Sequence, residues 1–206
     1  MNDKTMFKLT YGLFVLTARQ DEKDNGCIIN TAGQVTAVPN RISVAVNKAN
    51  YTHDMIKATG KFNVSILSEE AKFSTFQRFG FQSGKDVNKF EGYNQVKRSE
   101  NGIYYVTEGT NGFISATVEN TMDLGSHTLF IAAVDDMDVL SEVPSTTYNF
   151  YQSNIKPKPA APAVKTGKTI WRCRICGYEY EGEELPADFV CPICKHPASD
   201  FEKVIV

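Results

Sequence analysis

Long apolar runs are missing from this chain. No stretch reaches the roughly 18 apolar residues that a membrane-crossing helix needs, so no membrane role is expected. The opening residues, MNDKTMFKLTYG, lack the apolar centre of a secretory signal, and a reducing cytoplasm is the expected location. Net charge is small too. The net value is −2, and all of it falls after residue 165, where five Lys and Arg face seven Asp and Glu. A nucleic-acid binder needs a concentrated basic stripe, so nucleic acid is excluded as the main partner. No GxGxxG follows a strand pattern, which removes a Rossmann domain. Gly167-Lys168-Thr169 ends like a phosphate-binding loop, but Pro162 stands where its first glycine belongs.

Cysteine is rare as well, and its placement is uneven. Of five cysteines, Cys27 stands alone and Cys173, Cys176, Cys191 and Cys194 crowd the last 34 residues. The chain therefore reads as two domains joined by a linker. Residues 156–168, KPKPAAPAVKTGK, contain three prolines and four lysines. Closely spaced prolines favour an extended spacer of roughly 3 Å per residue, about 40 Å in all. Residues 1–155 precede it and residues 169–206 follow.

The first domain is rich in short β-branched or aromatic runs: Gly12–Ala18, Gly26–Thr31, Arg41–Asn47, Phe62–Leu67, Ile103–Val106, Phe113–Val118 and Thr128–Val134. Gly, Asn, Asp or Pro bound them, as expected for a mainly β barrel or sandwich. Two helices interrupt them. One runs over Thr52–Thr59 behind a cap at Asn50, and one over Glu69–Phe79 places Phe73, Phe76 and Phe79 near one face.

At the other end, CRICGYEYEGEELPADFVCPIC sets two CxxC pairs fourteen residues apart. Two such turns give four thiolates in a tetrahedron, and spacing alone leaves zinc and iron both open. The surrounding residues resemble rubredoxin. Trp171 stands two before the first Cys, Gly177-Tyr178-x-Tyr180 follows the second, Leu185-Pro186 and Phe189-Val190 lead to Cys191-Pro192-x-Cys194, and Phe201 lies near the end. The resemblance implies one iron held by Cys173, Cys176, Cys191 and Cys194. The segment between the pairs is shorter than in free-standing rubredoxins. His196 completes a CxxCxH pattern, which four cysteines make superfluous.

Residues 29–66, INTAGQVTAVPNRISVAVNKANYTHDMIKATGKFNVSI, resemble the flavin reductase-like, FMN-binding split-barrel family, and flavoredoxins in particular. FGFQSGKDVNKF (79–90) and LGSHTLFIAAVDD (124–136) continue the likeness. The latter stands at the family's GDHxxxxGxV, with Ser126 replacing the acidic residue and Ala132 the later glycine. The resemblance implies a Greek-key split barrel with a few short helices. It implies that Asn30, Thr31, Ala32, Gln34 and Thr36 line the flavin edge. Asn47, Lys48, Asn50 and Thr52 would hold the phosphate, with His53, Ser83 and Lys89 as further candidates. His127 is expected near the flavin face or a bound nicotinamide as an orienting group. Cys27 is given no redox role; Tyr104, Tyr105, Phe113 and Phe130 are read as barrel core or dimer contacts.

Together the two resemblances point to a flavoredoxin–rubredoxin fusion of the high-molecular-weight rubredoxin kind. Its implied activity is NAD(P)H-dependent electron transfer through FMN to a tetrathiolate iron. A flavodiiron oxygen or nitric oxide reductase is the implied acceptor, and a homodimer the implied assembly. Two rivals stand beside this reading: a reductase releasing reduced FMN to a separate oxygenase, and a non-redox barrel carrying a structural zinc ribbon.

Overall fold

The computed structural model describes residues 2–157, 169–174, 177–192 and 196–205. It divides into two compact units, Met1–Ile155 and Lys156–Val206. Most of the expected linker, residues 158–168, lies outside the described residues.

The first unit is built on β1 (Phe14–Gln20), β2 (Lys23–Ile29), β3 (Gly33–Ala37), β4 (Asn40–Asn47) and β5 (Lys61–Leu67), then β6 (Val96–Arg98), β7 (Tyr104–Val106), β8 (Thr110–Asp123) and β9 (His127–Val139). Seven of these make one sheet in the order β2-β1-β5-β8-β9-β4-β3, and every pairing in it is antiparallel. Bulges at Ser115/Ala116 and Val118/Asn120 bend the central β8–β9 pair, and a further bulge interrupts β3–β4. Bulges raise local twist, which is how an open sheet curls around a core. β6 and β7 form a separate hairpin.

Alternation places the core. Along β4, Ile42, Val44 and Val46 are buried, and along β9, Thr128, Phe130 and Ala132. These pack with Leu16, Phe62 and Val64 against Met55 and Ile56 of helix α1 (Tyr51–Thr59). A second cluster gathers Leu13, Val15 and Val106 with Phe76 and Phe79 of helix α2 (Phe73–Gly80) and with Tyr151.

Several elements depart from the sequence expectation. α2 starts at Phe73, not Glu69, because Ser68 and Glu69 donate their N–H groups to Gly109 and Pro144 in a turn that Ala71 closes onto Ser68. β8 and β9 are long strands whose outer halves are largely exposed and polar, so apolar content marks only their buried parts. β3 has every residue exposed and hence no alternation to read.

The second unit contains β10 (Thr169–Cys173), β11 (Glu179–Glu181) and β12 (Phe201–Ile205), antiparallel in the order β11-β10-β12.

Candidate flavin and metal sites

The family-like segments of the first unit meet where β4 ends and β9 begins. Asn47, the last residue of β4, pairs with His127, the first of β9. The Lys48 N–H donates to the Ser126 carbonyl at 3.0 Å, and the Lys48 ammonium sits 2.7 and 2.8 Å from the two Asp123 oxygens. That ammonium, helped by the Gly125 N–H, holds Asp123 below the usual carboxylate range. His127 is half-buried, with Nδ1 2.9 Å from the Ser126 hydroxyl. Asn47 Oδ1 accepts from the Ala49 N–H at 2.9 Å, shaping the turn into α1. Asn50 is the helix cap but makes no side-chain capping bond. The first turn of α1 thus presents backbone N–H groups at the positive end of the helix, which suits an anion.

The edge candidates continue from this corner. Thr31 donates its hydroxyl to the Ala45 carbonyl at 2.7 Å, tying the β2–β3 connection to β4. Asn30 and Ala32 are half-buried. Gln34 and Thr36 are exposed on β3; the Gln34 amide donates to Asn40 at 3.2 Å and the Thr36 hydroxyl to the Pro39 carbonyl at 2.6 Å. Ser83 is exposed, and its hydroxyl accepts from the Lys85 N–H at 3.2 Å.

Thr52, His53 and Lys89 do not share this surface. Thr52 is fully buried; its hydroxyl accepts from the Asn25 amide at 3.0 Å and also bonds the Cys27 thiol. Burial pushes that thiol up, an effect Thr52 and then Lys89 partly offset. Lys89 is 4% exposed and donates to the carbonyls of Gly26 at 2.9 Å and Phe79 at 3.1 Å. Burial pulls its pKa down. Lys89 is therefore a buried strut between β2 and the end of α2, neither a solvated loop residue nor an open phosphate donor. His53, expected at the surface or on the flavin, is 4% exposed with both ring nitrogens bonded. Asn25 and Thr128 are the partners that sequence reading missed. The one available signal was a polar residue at an inward position of an apolar strand. Gly84 belongs with them, since a Cβ there would lie 2.1 Å from Asn25 Oδ1.

A groove of about 780 Å³ lies elsewhere, between the β1–β2 turn, Tyr51, residues 84–88, Phe90 and Tyr104. It includes none of Asn30–Thr36, Asn47 or His127. β3 and β9, which carry Gln34, Thr36 and His127, also expose Val35 at 49% and Met137 at 58%, and β8, paired with β9, exposes Met122 at 59%.

In the second unit Cys173 ends β10 and is 1% exposed, while Cys191 is fully buried. The Cys173 carbonyl accepts from the Gly177 N–H at 2.9 Å, and Gly177 takes the left-handed φ of 79° that such a turn requires. The Cys191 N–H donates to the His196 carbonyl at 2.8 Å. Beside the two thiols, Phe189 packs against Tyr180 with ring centres 4.8 Å apart and edge-on to Phe201 at 5.4 Å. Cys176 and Cys194, the other two expected ligands, lie outside the described residues. Two buried sulfurs on turns beside an aromatic cluster suit a soft thiolate-held metal.

An antiparallel seven-stranded sheet with such a corner, followed by a small cysteine-bearing three-stranded sheet, is a two-unit architecture with counterparts among known proteins. Residues 6–158 match the flavin reductase like domain, and residues 171–202 match the rubrerythrin, rubredoxin-like domain. A high molecular weight rubredoxin of Moorella thermoacetica is 35% identical over 99% of this chain and 100% of its own length. A ferric-chelate reductase (NAD(P)H) of Archaeoglobus fulgidus is 35% identical over 80% of this chain and 96% of its own. Among solved structures, the NADH:FAD oxidoreductase SgcE6 of Streptomyces globisporus superposes with a TM-score of 0.64 at 18% identity, covering 70% of this chain and 84% of that one. The chain belongs to the flavin reductase-like family, in the arrangement of the high-molecular-weight rubredoxins. It is an oxidoreductase of flavin-based electron transfer, and the two domain families imply a flavin and an iron. Among the described residues, no helix is long and apolar enough to cross a membrane.

Proposed function

We propose that this chain is an NAD(P)H-dependent electron-transfer protein. It holds FMN on the barrel and one iron on Cys173, Cys176, Cys191 and Cys194, and delivers electrons to an external acceptor of the flavodiiron oxygen or nitric oxide reductase class. The observation that carries this reading is the pairing of Asn47 with His127. It sets the anion-suited start of α1 beside a half-buried histidine in a chain that also carries buried cysteines of a tetrathiolate set. Bound flavin supplies the conversion of a two-electron hydride into single electrons, which one iron accepts one at a time.

The residues divide the binding. Asn30, Thr31, Ala32, Gln34 and Thr36 line the ring edge. The backbone around Asn47, Lys48 and Asn50, with Ser83, holds the phosphate. The Lys48 ammonium, shared with Asp123, adds positive charge there. His127 orients the ring or the nicotinamide through the nitrogen that Ser126 leaves open. A second copy of the chain covers the open corner, which accounts for exposed Val35 and Met137 on strands that bear the site and for exposed Met122 on the adjoining β8. Residues 156–168 tether the metal unit, and the working location is the cytoplasm.

The test is a visible spectrum of the as-isolated protein with metal analysis, followed by stopped-flow mixing with NADH and with NADPH. Overlapping flavin and ferric-thiolate bands, one iron per chain, and bleaching of the flavin band followed by the iron band are expected. Zinc in place of iron, or an iron band that stays oxidised after the flavin has bleached, overturns the proposal. Flavin lost on gel filtration turns it into a reductase that serves a separate oxygenase.

A further inference from the structure

The contacts of His53 join three segments that lie far apart in sequence. Its side chain is 5% exposed. Nδ1 lies 2.9 Å from Asp54 Oδ1 and Nε2 2.9 Å from Thr128 Oγ1, while the ring meets Phe130 edge-on at 5.8 Å. The other Asp54 oxygen lies 3.9 Å from the Lys85 ammonium. Lys85 belongs to the 79–90 loop, His53 to the start of α1 and Thr128 to the start of β9, so one path of polar contacts runs through all three.

From this arrangement we infer that His53 is a positioning residue: through Thr128 it locks the start of α1 against β9 and so holds His127 in register with the anion-suited turn, without touching the flavin itself. Both ring nitrogens are already engaged inside the protein, which leaves neither for a ligand. Along β9 the side chains alternate, so Thr128 points inward to His53 while His127 points to the other face. A movement of the Thr128 backbone is therefore a movement of His127. The main chain at this junction is already stitched by the Asn47–His127 pairing and the Lys48 N–H to Ser126 bond. Those bonds tie β4 to β9; apolar packing of Met55 and Ile56 holds the helix on the sheet, and His53 adds a directional hydrogen bond from its first turn to β9. Because the hydroxyl and the imidazole are both buried, loss of either strands its partner without water.

This inference rests on the reading that flavin binds at this corner, and the experiment separates the two. In the full-length chain, Thr128→Val removes the hydroxyl at constant shape, Thr128→Ser restores it, and His53→Gln keeps a group that reaches Thr128 in place of Nε2. FMN affinity is measured by fluorescence titration of the flavin-stripped protein, and the His127 ring by nitrogen–proton NMR before flavin is added. Thr128→Val is expected to weaken FMN binding about 3- to 10-fold and to shift the His127 resonances. Thr128→Ser and His53→Gln should lie close to the parent in both. Unchanged His127 resonances in Thr128→Val, or failure of Thr128→Ser to restore them, overturns the positioning role. Failure of the parent chain to bind FMN overturns the flavin reading, while the resonances still decide the role of His53.

Discussion

A hydroxyl on the second residue of a helix can turn outward to a ligand or inward to the sheet beneath, and at Thr52 the sheet takes it. The Asn25 amide and the Cys27 thiol claim that oxygen, and the Lys89 ammonium is bound to two carbonyls, one on that same strand, β2, and one near the end of α2. The thiol and the ammonium make alkaline stability informative. Burial raises the folded pKa of Cys27 above its ordinary 9.0, so above pH 9 the unfolded chain loses that proton first and stability falls with pH. Burial lowers Lys89 below its ordinary 10.5, so between its folded value and 10.5 the unfolded chain holds more protons and stability rises with pH. Replacing Cys27 removes the falling contribution, and with it a charge that raises Lys89. Cys27→Ala is expected to cost about 1 kcal/mol near pH 7 through lost packing, with the deficit shrinking as pH passes 9. Urea unfolding of parent and variant between pH 7 and 10.5 measures this; a deficit that grows with pH contradicts the assignment.

At the scale of elements, α1 has to stop abruptly so that β5 can re-enter the sheet, and Gly60 does this in the left-handed region at φ 69° with its N–H on the Ile56 carbonyl at 2.8 Å. A Cβ at Gly60 would meet open space. The cost of Gly60→Ala is therefore backbone strain alone, about 1 kcal/mol, read from the thermal midpoint of the barrel, and a loss several times larger would mean that the turn itself reorganises. The start of α1 was legible because Asn50 marks it with a conformational preference of its own. The start of α2 was not, since the bonds from Ser68 and Glu69 to Gly109 and Pro144 span more than the local window. β3 escaped notice because a strand with no buried face has no period. The site divides in the same way. The cysteines and His127 are singled out by residue type and spacing, whereas the burial of Thr52, His53 and Lys89 depends on neighbours that spacing does not show. Whether a polar side chain near a binding segment serves the ligand or the scaffold depends on the facing strand, which lies far off in sequence.

For the molecule as a whole, the two units differ in what holds them up. The barrel buries Phe62, Phe79, Phe130, Leu16, Met55 and Ile56 almost completely, a core of the kind that stabilises a domain without help. The second unit has strands of five, three and five residues, and its buried apolar side chains among the described residues are Ile170, Cys173, Cys191 and Phe201. Below about 40 residues a core of that size does not offset the entropy of ordering the chain, so metal ligation has to supply folding free energy there. Stripping the metal with acid and chelator should therefore unfold residues 169–206 while leaving the barrel transition where it was. Cys191→Ser should do the same without a chelator. Amide NMR of the full chain provides the check: resonances of the second unit collapse towards random-coil positions, and those of β1 to β9 stay dispersed. Retention of dispersed shifts for Tyr178, Phe189 and Phe201 after metal removal would mean that the aromatic cluster holds this unit together on its own. In that case the iron would be a passenger on a preformed scaffold, and ligand loss would abolish electron transfer without unfolding anything.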